Sequence, residues 1–127
     1  MKKILLDTSV LIDFLRRKDK EKSLLVKLIR EDYSLAICLI THTELYAGKS
    51  VWQKKKARGE LEKLLAGLEI IMPDQKVSCL AGELRAKYEV NLLDTLIAAE
   101  AIVSCLPLAT LNLKDFAKIK KVKIFSD

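Results

Sequence analysis

The chain has 127 residues, half of them hydrophobic, and a formal charge of +6 with a pI near 9.2. That length suits one domain (residues 1–127) with a substantial core, the composition excludes a disordered chain, and no apolar run approaches the roughly 20 residues needed to span a bilayer. A basic balance admits polyanions or acidic protein segments as partners without choosing between them. Cys38, Cys79 and Cys105 are widely spaced with no C-x-x-C pair, which argues against a disulfide framework and a zinc site. Their apolar neighbours make them read as small buried hydrophobes. His42, the sole histidine, has no second histidine to orient it or share a metal. The opening lysines precede an apolar run broken at Asp7, with no small-residue cleavage site after it, so no secretory signal is expected and the chain reads as cytoplasmic.

In chain order, Ile4-Leu5-Leu6 is a short unbroken apolar run, the pattern of a strand covered on both faces. It stops at Asp7, and Thr8 and Ser9 offer capping chemistry for a helix over residues 8–16. Asp7 is either that helix's cap or an acid at the carboxyl end of a first strand, where open α/β sheets build their sites. Leu24, Leu25, Leu28 and Ile29 mark the apolar stripe of a second helix. Residues 34–39 read as a second strand, followed by Thr41-His42-Thr43-Glu44, an S/T-x-x-E capping box that would open the next helix and place Glu44 in its first turn. Residues 51–68 form the longest helical pattern, with Lys54-Lys55-Lys56-Ala57-Arg58 near its start and Gly59 as a local weakness. A third strand is expected over 68–72, closed by Pro73. Asp74 caps a helix carrying Val77, Leu80, Ala81 and Leu84. Residues 91–103 are apolar nearly all round apart from Asp94, Thr95 and Glu100, so this helix should be largely buried. A short fourth strand over 106–109 and an edge strand over 122–125 complete the pattern. Strands alternating with helices imply right-handed parallel crossovers, hence a three-layer α/β/α domain with a central parallel sheet of four to five strands.

Polar residues stand where a core would prefer apolar ones. Asp7, Glu44 and Asn112 follow strands whose carboxyl ends share one edge, and Asp94 joins them if its helix starts there. Carboxylates gathered at low dielectric repel, and a hard divalent cation, Mg²⁺ or Mn²⁺, relieves the conflict. Such an ion activates water and neutralises charge on a phosphoryl group without a histidine base. Each residue also has a plainer role. Glu44 completes a capping box, Asp94 favours a helix N-terminus, Asn112 is a common turn residue, and Glu100 is expected to ion-pair or reach solvent.

Taken together, Leu6-Asp7-Thr8-Ser9-Val10-Leu11-Ile12-Asp13, Thr41-His42-Thr43-Glu44-Leu45-Tyr46-Ala47-Gly48, Leu93-Asp94-Thr95-Leu96-Ile97-Ala98-Ala99 and Ala109-Thr110-Leu111-Asn112-Leu113-Lys114-Asp115-Phe116 resemble, in order and spacing, the PIN-domain nucleases and the VapC-type toxins among them. The resemblance spans essentially the whole chain. It implies a PIN-like fold and a Mg²⁺- or Mn²⁺-dependent endoribonuclease, usually dimeric and inhibited by an acidic-tailed antitoxin. It assigns Asp7, Glu44 and Asp94 to the metal, with Asn112 completing the catalytic set and Thr8 and Thr110 as supporting hydroxyls. The family often has Asp where Asn112 stands; Asn brings no charge, and Asp115 is the nearby acid, ranked below it.

Two rival enzymes fit less well. A haloacid-dehalogenase-type phosphatase needs D-x-D, but Asp7 is followed by Thr8 and Ser9; a receiver domain needs an acidic pair that this chain places elsewhere. The remaining alternative is a non-cleaving RNA- or protein-binding module of the same fold.

Overall fold

Ile4, Leu5 and Leu6 have no polar side to turn toward water, so a strand made of them is stable only with both faces covered. In the computed structural model, which describes residues 2–126, β1 (Lys3–Leu6) is accordingly central and its apolar side chains are fully buried. β2 (Ser34–Cys38) pairs on one side of it, β4 (Leu108–Ala109) on the other, and β3 (Glu69–Ile71) flanks β2. All pairings are parallel and the order is β3-β2-β1-β4.

Alternation along the strands divides the core in two. Leu5, Ala36, Cys38 and Leu108 face α6 (Gln75–Lys87), α7 (Leu92–Val103) and α8 (Leu113–Phe116), which supply Val77, Ala81, Ile97, Ala98 and Phe116. Ile4, Leu6, Leu35, Ile37 and Ala109 face α1 (Thr8–Arg16), α2 (Leu24–Arg30) and α5 (Lys55–Ala66), which supply Val10, Leu11, Leu25, Leu28 and Leu61. The three expected layers are present. The start of α6 is also as read from sequence, with Asp74 accepting from the Val77 amide at 3.0 Å; α2 is capped by Ser23, which accepts from the Val26 amide at 3.3 Å.

Several boundaries differ from expectation. The long helix is broken into α4 (Lys49–Gln53) and α5 at Lys54, whose φ of −126° and ψ of 117° are extended. Val51 and Leu61, both buried, are ten residues apart, which on a continuous helix would set them about 80° out of phase. The break lets each reach the core, and Gly59 stays inside α5. The capping box does not form. α3 (Leu39–Tyr46) begins directly after β2, with Cys38 in extended backbone at the N-cap, so Thr41 is buried within the helix and Glu44 lies in its second turn. The fifth strand is reduced to one parallel bridge between Leu108 and Ile124, because β4 is only two residues long and Pro107, which has no N–H, precedes it. Cys38 is buried as expected, but Cys79 and Cys105 are exposed, on the outer side of α6 and in the turn after α7.

Among the described residues, no helix is long and apolar enough to cross a membrane. Leu5 is fully buried in the central strand. Leu5→Ala should therefore lower unfolding free energy by about 3 kcal/mol in a urea titration, and a loss under about 1 kcal/mol would show that this face of the sheet is not the core.

Candidate active site

In parallel register, Leu6 lies beside Ile37 on β2 and Ala109 on β4, so the next residues, Asp7, Cys38 and Thr110, share one edge of the sheet. Asp7 occupies the N-cap position of α1 but its side chain makes no capping bond. Its Oδ2 instead accepts from Ser9 Oγ at 2.6 Å and from Thr110 Oγ1 at 2.8 Å. Neither hydroxyl occupies Oδ1. The cap role left open by the sequence is thus not the one adopted. The hydroxyls are themselves held: Leu111 N donates to Ser9 Oγ at 3.0 Å, and Asn112 N to Thr110 Oγ1 at 2.8 Å.

Glu44 is positioned from α1. Thr8 Oγ1 donates to Glu44 Oε1 at 2.7 Å and lies 3.0 Å from the buried Thr41 hydroxyl. Asp94 stands in the first turn of α7, whose N-cap is Asn91, accepting from the Leu93 amide at 2.8 Å. A helix N-terminus by itself would favour the carboxylate. Here burial, and after it the charges of Asp7, Glu44 and Asp115, push the Asp94 pKa up to about 6. The neighbouring acids and the loss of water outweigh the dipole.

Asn112 lies beside this group and works through its neighbour: its Nδ2 donates to Asp115 Oδ2 at 3.1 Å. Asp115 also has Lys118 Nζ at 3.6 Å. Sequence ranked Asp115 below Asn112, yet the two form a bonded pair and Asp115 carries the charge that reaches Asp94. Ser9 was visible only as capping chemistry; its place two residues after an acid, with a hydroxyl able to turn back, was the available signal. His42 is outside the cluster and packs its ring on Tyr46, centroids 4.9 Å apart.

Glu100 departs from expectation. It neither ion-pairs nor reaches solvent; it is 2% exposed, with Oε2 accepting from Ser104 Oγ at 3.0 Å and Oε1 without a partner. Burial raises its pKa. The cause is its place on α7, whose central residues are enclosed by the sheet and α6.

The donor set at the carboxyl edge is entirely oxygen: Asp7, Glu44, Asp94 and Asp115 with Ser, Thr and Asn beside them. This is the set preferred by hard cations. Among the described residues, no three His, Cys, Asp or Glu side chains are gathered closely enough to form a ready metal cage.

An α/β sheet with acids converging at its carboxyl edge defines the general class, and comparison with known proteins gives the family. The PIN domain profile matches residues 4–122, and the chain belongs to the PIN-domain family. Ribonuclease VapC10 of Mycobacterium tuberculosis is 34% identical over 125 residues, covering 94% of this chain and 90% of that protein. Among solved structures, a toxin–antitoxin complex from Klebsiella pneumoniae is similar with 33% identity and a TM-score of 0.69, covering 94% of each chain. VapBC2 from Rickettsia felis, bound to a DNA fragment from its promoter, is similar with 25% identity and a TM-score of 0.79, covering 97% of each chain.

The raised carboxyl pKa values fix the sign of a pH effect. The folded protein retains protons on Asp94 and Glu100 that the unfolded chain has released, so metal-free stability falls as pH rises above the ordinary carboxylate range, the Asp94 contribution being lost as pH passes through about 6. Asp94→Asn should flatten this fall and raise stability at pH 7.5 by about 1 kcal/mol, a figure discounted for the half-exposed position of Asp94; Glu100→Gln should shift it in the same direction. Urea titrations at pH 4.5 and 7.5 in EDTA check both, and an Asp94→Asn protein less stable than wild type at pH 7.5 would contradict the repulsion.

Proposed function

We propose that this chain is a Mg²⁺- or Mn²⁺-dependent endoribonuclease, the RNA-cleaving toxin of a toxin–antitoxin pair. The observation that carries the reading is the gathering of carboxylates at the carboxyl edge of a parallel sheet, with Asp7 held there by Ser9 and Thr110 and Glu44 by Thr8, and with Asp94 near enough to feel both charges. Similarity to a named ribonuclease over nearly the full chain supports the reaction class, and similarity to toxin–antitoxin complexes supports the biological setting.

Asp7 and Asp94 would be the principal ligands, with Glu44 ligating directly or through water; an ion bound there supplies a water of lowered pKa and positive charge opposite the scissile phosphate. The chain's own groups do the positioning. Ser9 and Thr110 fix Asp7 by one oxygen, Thr8 aims Glu44, and Asn112 holds Asp115 at the rim. Lys49, Lys54, Lys55, Lys56 and Arg58 track the RNA backbone as a sequence-independent electrostatic footprint. The same reading gives the protein two protein partners, a second copy of itself in a homodimer and an antitoxin whose acidic tail complements the +6 charge.

A second reading, a non-cleaving RNA- or protein-binding module, draws on the neutral Asn112. Cleavage separates the two. Partner-free protein incubated with mixed single-stranded and structured RNAs should produce discrete fragments in Mn²⁺ or Mg²⁺ and none in EDTA. Asp7→Asn and Asp94→Ala should each reduce the rate by more than about 100-fold, since even outer partners of metal ligands change activity 10- to 100-fold. Mn²⁺ should also raise the melting temperature of wild type, with affinity weakening by about tenfold per pH unit below about 6 as Asp94 takes up its proton. Binding without cleavage across metals and RNAs would move the assignment to the binding module.

A further inference from the structure

We infer that the corner between α3 and α4 is a base-stacking platform for single-stranded RNA, centred on Trp52. Trp52 is 62% exposed, unusual for so large an apolar ring. It is nonetheless held in one orientation: its Nε1 donates to the Tyr46 carbonyl at 2.6 Å, and its ring lies 5.9 Å from that of Tyr46. Tyr46 packs in turn on His42, and the Arg58 guanidinium lies 6.0 Å from the Trp52 ring. His42, Tyr46, Trp52 and Arg58 thus form a continuous line of flat π and guanidinium groups along α3, α4 and the start of α5.

The charges around it choose the occupant. Between Lys49 and Arg58 the chain places Lys49, Lys54, Lys55, Lys56 and Arg58 with no acid among them, and among the described residues none of these cations is in an ion pair. An aromatic step flanked by uncompensated cations is the construction that grips an unpaired strand, bases on rings and phosphates on lysines. A duplex hides its base faces in the stack and has no use for such a ring. The platform stands on the same elements as Glu44: Tyr46 and Glu44 share α3, and a cleft of about 200 Å³ beside them is lined by Arg16, Glu44, Gly48, Val51, which precedes Trp52, and Glu60. Because Trp52 is already fixed before binding, little side-chain freedom is lost when a base stacks on it. The inference deepens the nuclease reading, on which its RNA substrate rests, by making that substrate single-stranded and giving it a seat outside the acids.

Trp52 is the only tryptophan, so its emission reports on this one place. The wild-type chain in EDTA would be titrated with a short oligoadenylate, with a duplex of equal length, and with an abasic oligonucleotide of equal charge. Saturable quenching is expected with the single strand and not with the other two. By anisotropy of a labelled strand, Trp52→Ala should bind about 5- to 140-fold more weakly, the range of one lost base–aromatic stack, while Trp52→Phe keeps most of the affinity. Unchanged emission at saturating RNA, or Trp52→Ala binding as tightly as wild type, would overturn the platform. So would emission that shifts with protein concentration and ignores RNA, which would assign this face to a second copy of the chain. Omitting metal separates this failure from failure of the nuclease: quenching without cleavage in a parallel Mn²⁺ assay sinks only the catalytic reading, and cleavage without quenching sinks only the platform.

Discussion

The hydrogen bond from Thr110 Oγ1 to Asp7 Oδ2 joins residues 103 positions apart and ties the ends of β1 and β4 together at the carboxyl edge. It is possible only because β1 sits between β2 and β4 in parallel register, so that strands from opposite ends of the chain finish side by side. The backbone reinforces the link, with the Asp7 amide donating to the Ala109 carbonyl at 2.9 Å. Ser9 closes the arrangement by reaching from α1 to Asp7 while accepting from Leu111. Loss of this register would not merely loosen a strand; it would scatter the acids among different edges.

From that fixed point the electrostatics follow. Asp7 is buried and oriented by hydroxyls, Glu44 is oriented by Thr8, and Asp94 is left to absorb the mutual repulsion. Its raised pKa comes first from burial and then from the charges of Asp7, Glu44 and Asp115. Glu100, two turns further along the same helix, has its pKa raised by desolvation first, with a hydroxyl partner working the other way. One helix thus carries two acids perturbed first by burial, and only Asp94 also feels the other acids of the edge.

Much of this was legible in sequence because the local and global signals agree. The apolar run Ile4-Leu5-Leu6 stops at an acid, and strand–helix alternation then requires parallel pairing; together these gave the layers and the shared edge of Asp7, Glu44, Asp94 and Asn112. What sequence did not give was phase and partner. Nothing local distinguishes a continuous helix over 51–68 from two short ones, because the break at Lys54 answers the separate demands of Val51 and Leu61 for the core. The Thr41–Glu44 box was a sound local motif overridden by tertiary contact, since Thr41 is needed against Thr8 and Glu44 against the same hydroxyl. Glu100 was misplaced because a single Glu in an apolar helix reads as a surface residue until the packing of α6 against α7 is known. The pairing of Asn112 with Asp115 depends on a four-residue helix that composition cannot locate.

The choice of hydroxyls as the supporting groups has a further consequence. Thr8, Thr41, Thr95 and Thr110 are buried at or near the edge where the acids stand, and among the described residues no Lys or Arg pairs with Asp7, Glu44 or Asp94. A cation in that layer would orient the carboxylates equally well, but it would neutralise them and draw their pKa values down. A hydroxyl supplies direction without charge. The acids stay oriented and under-compensated, which leaves their unspent attraction for a positive group from outside the chain. Other cations, among them Arg17, Lys54, Lys55 and Lys56, are exposed on helix ends and turns, where their field can act on a polyanion without pairing with the acids of the edge.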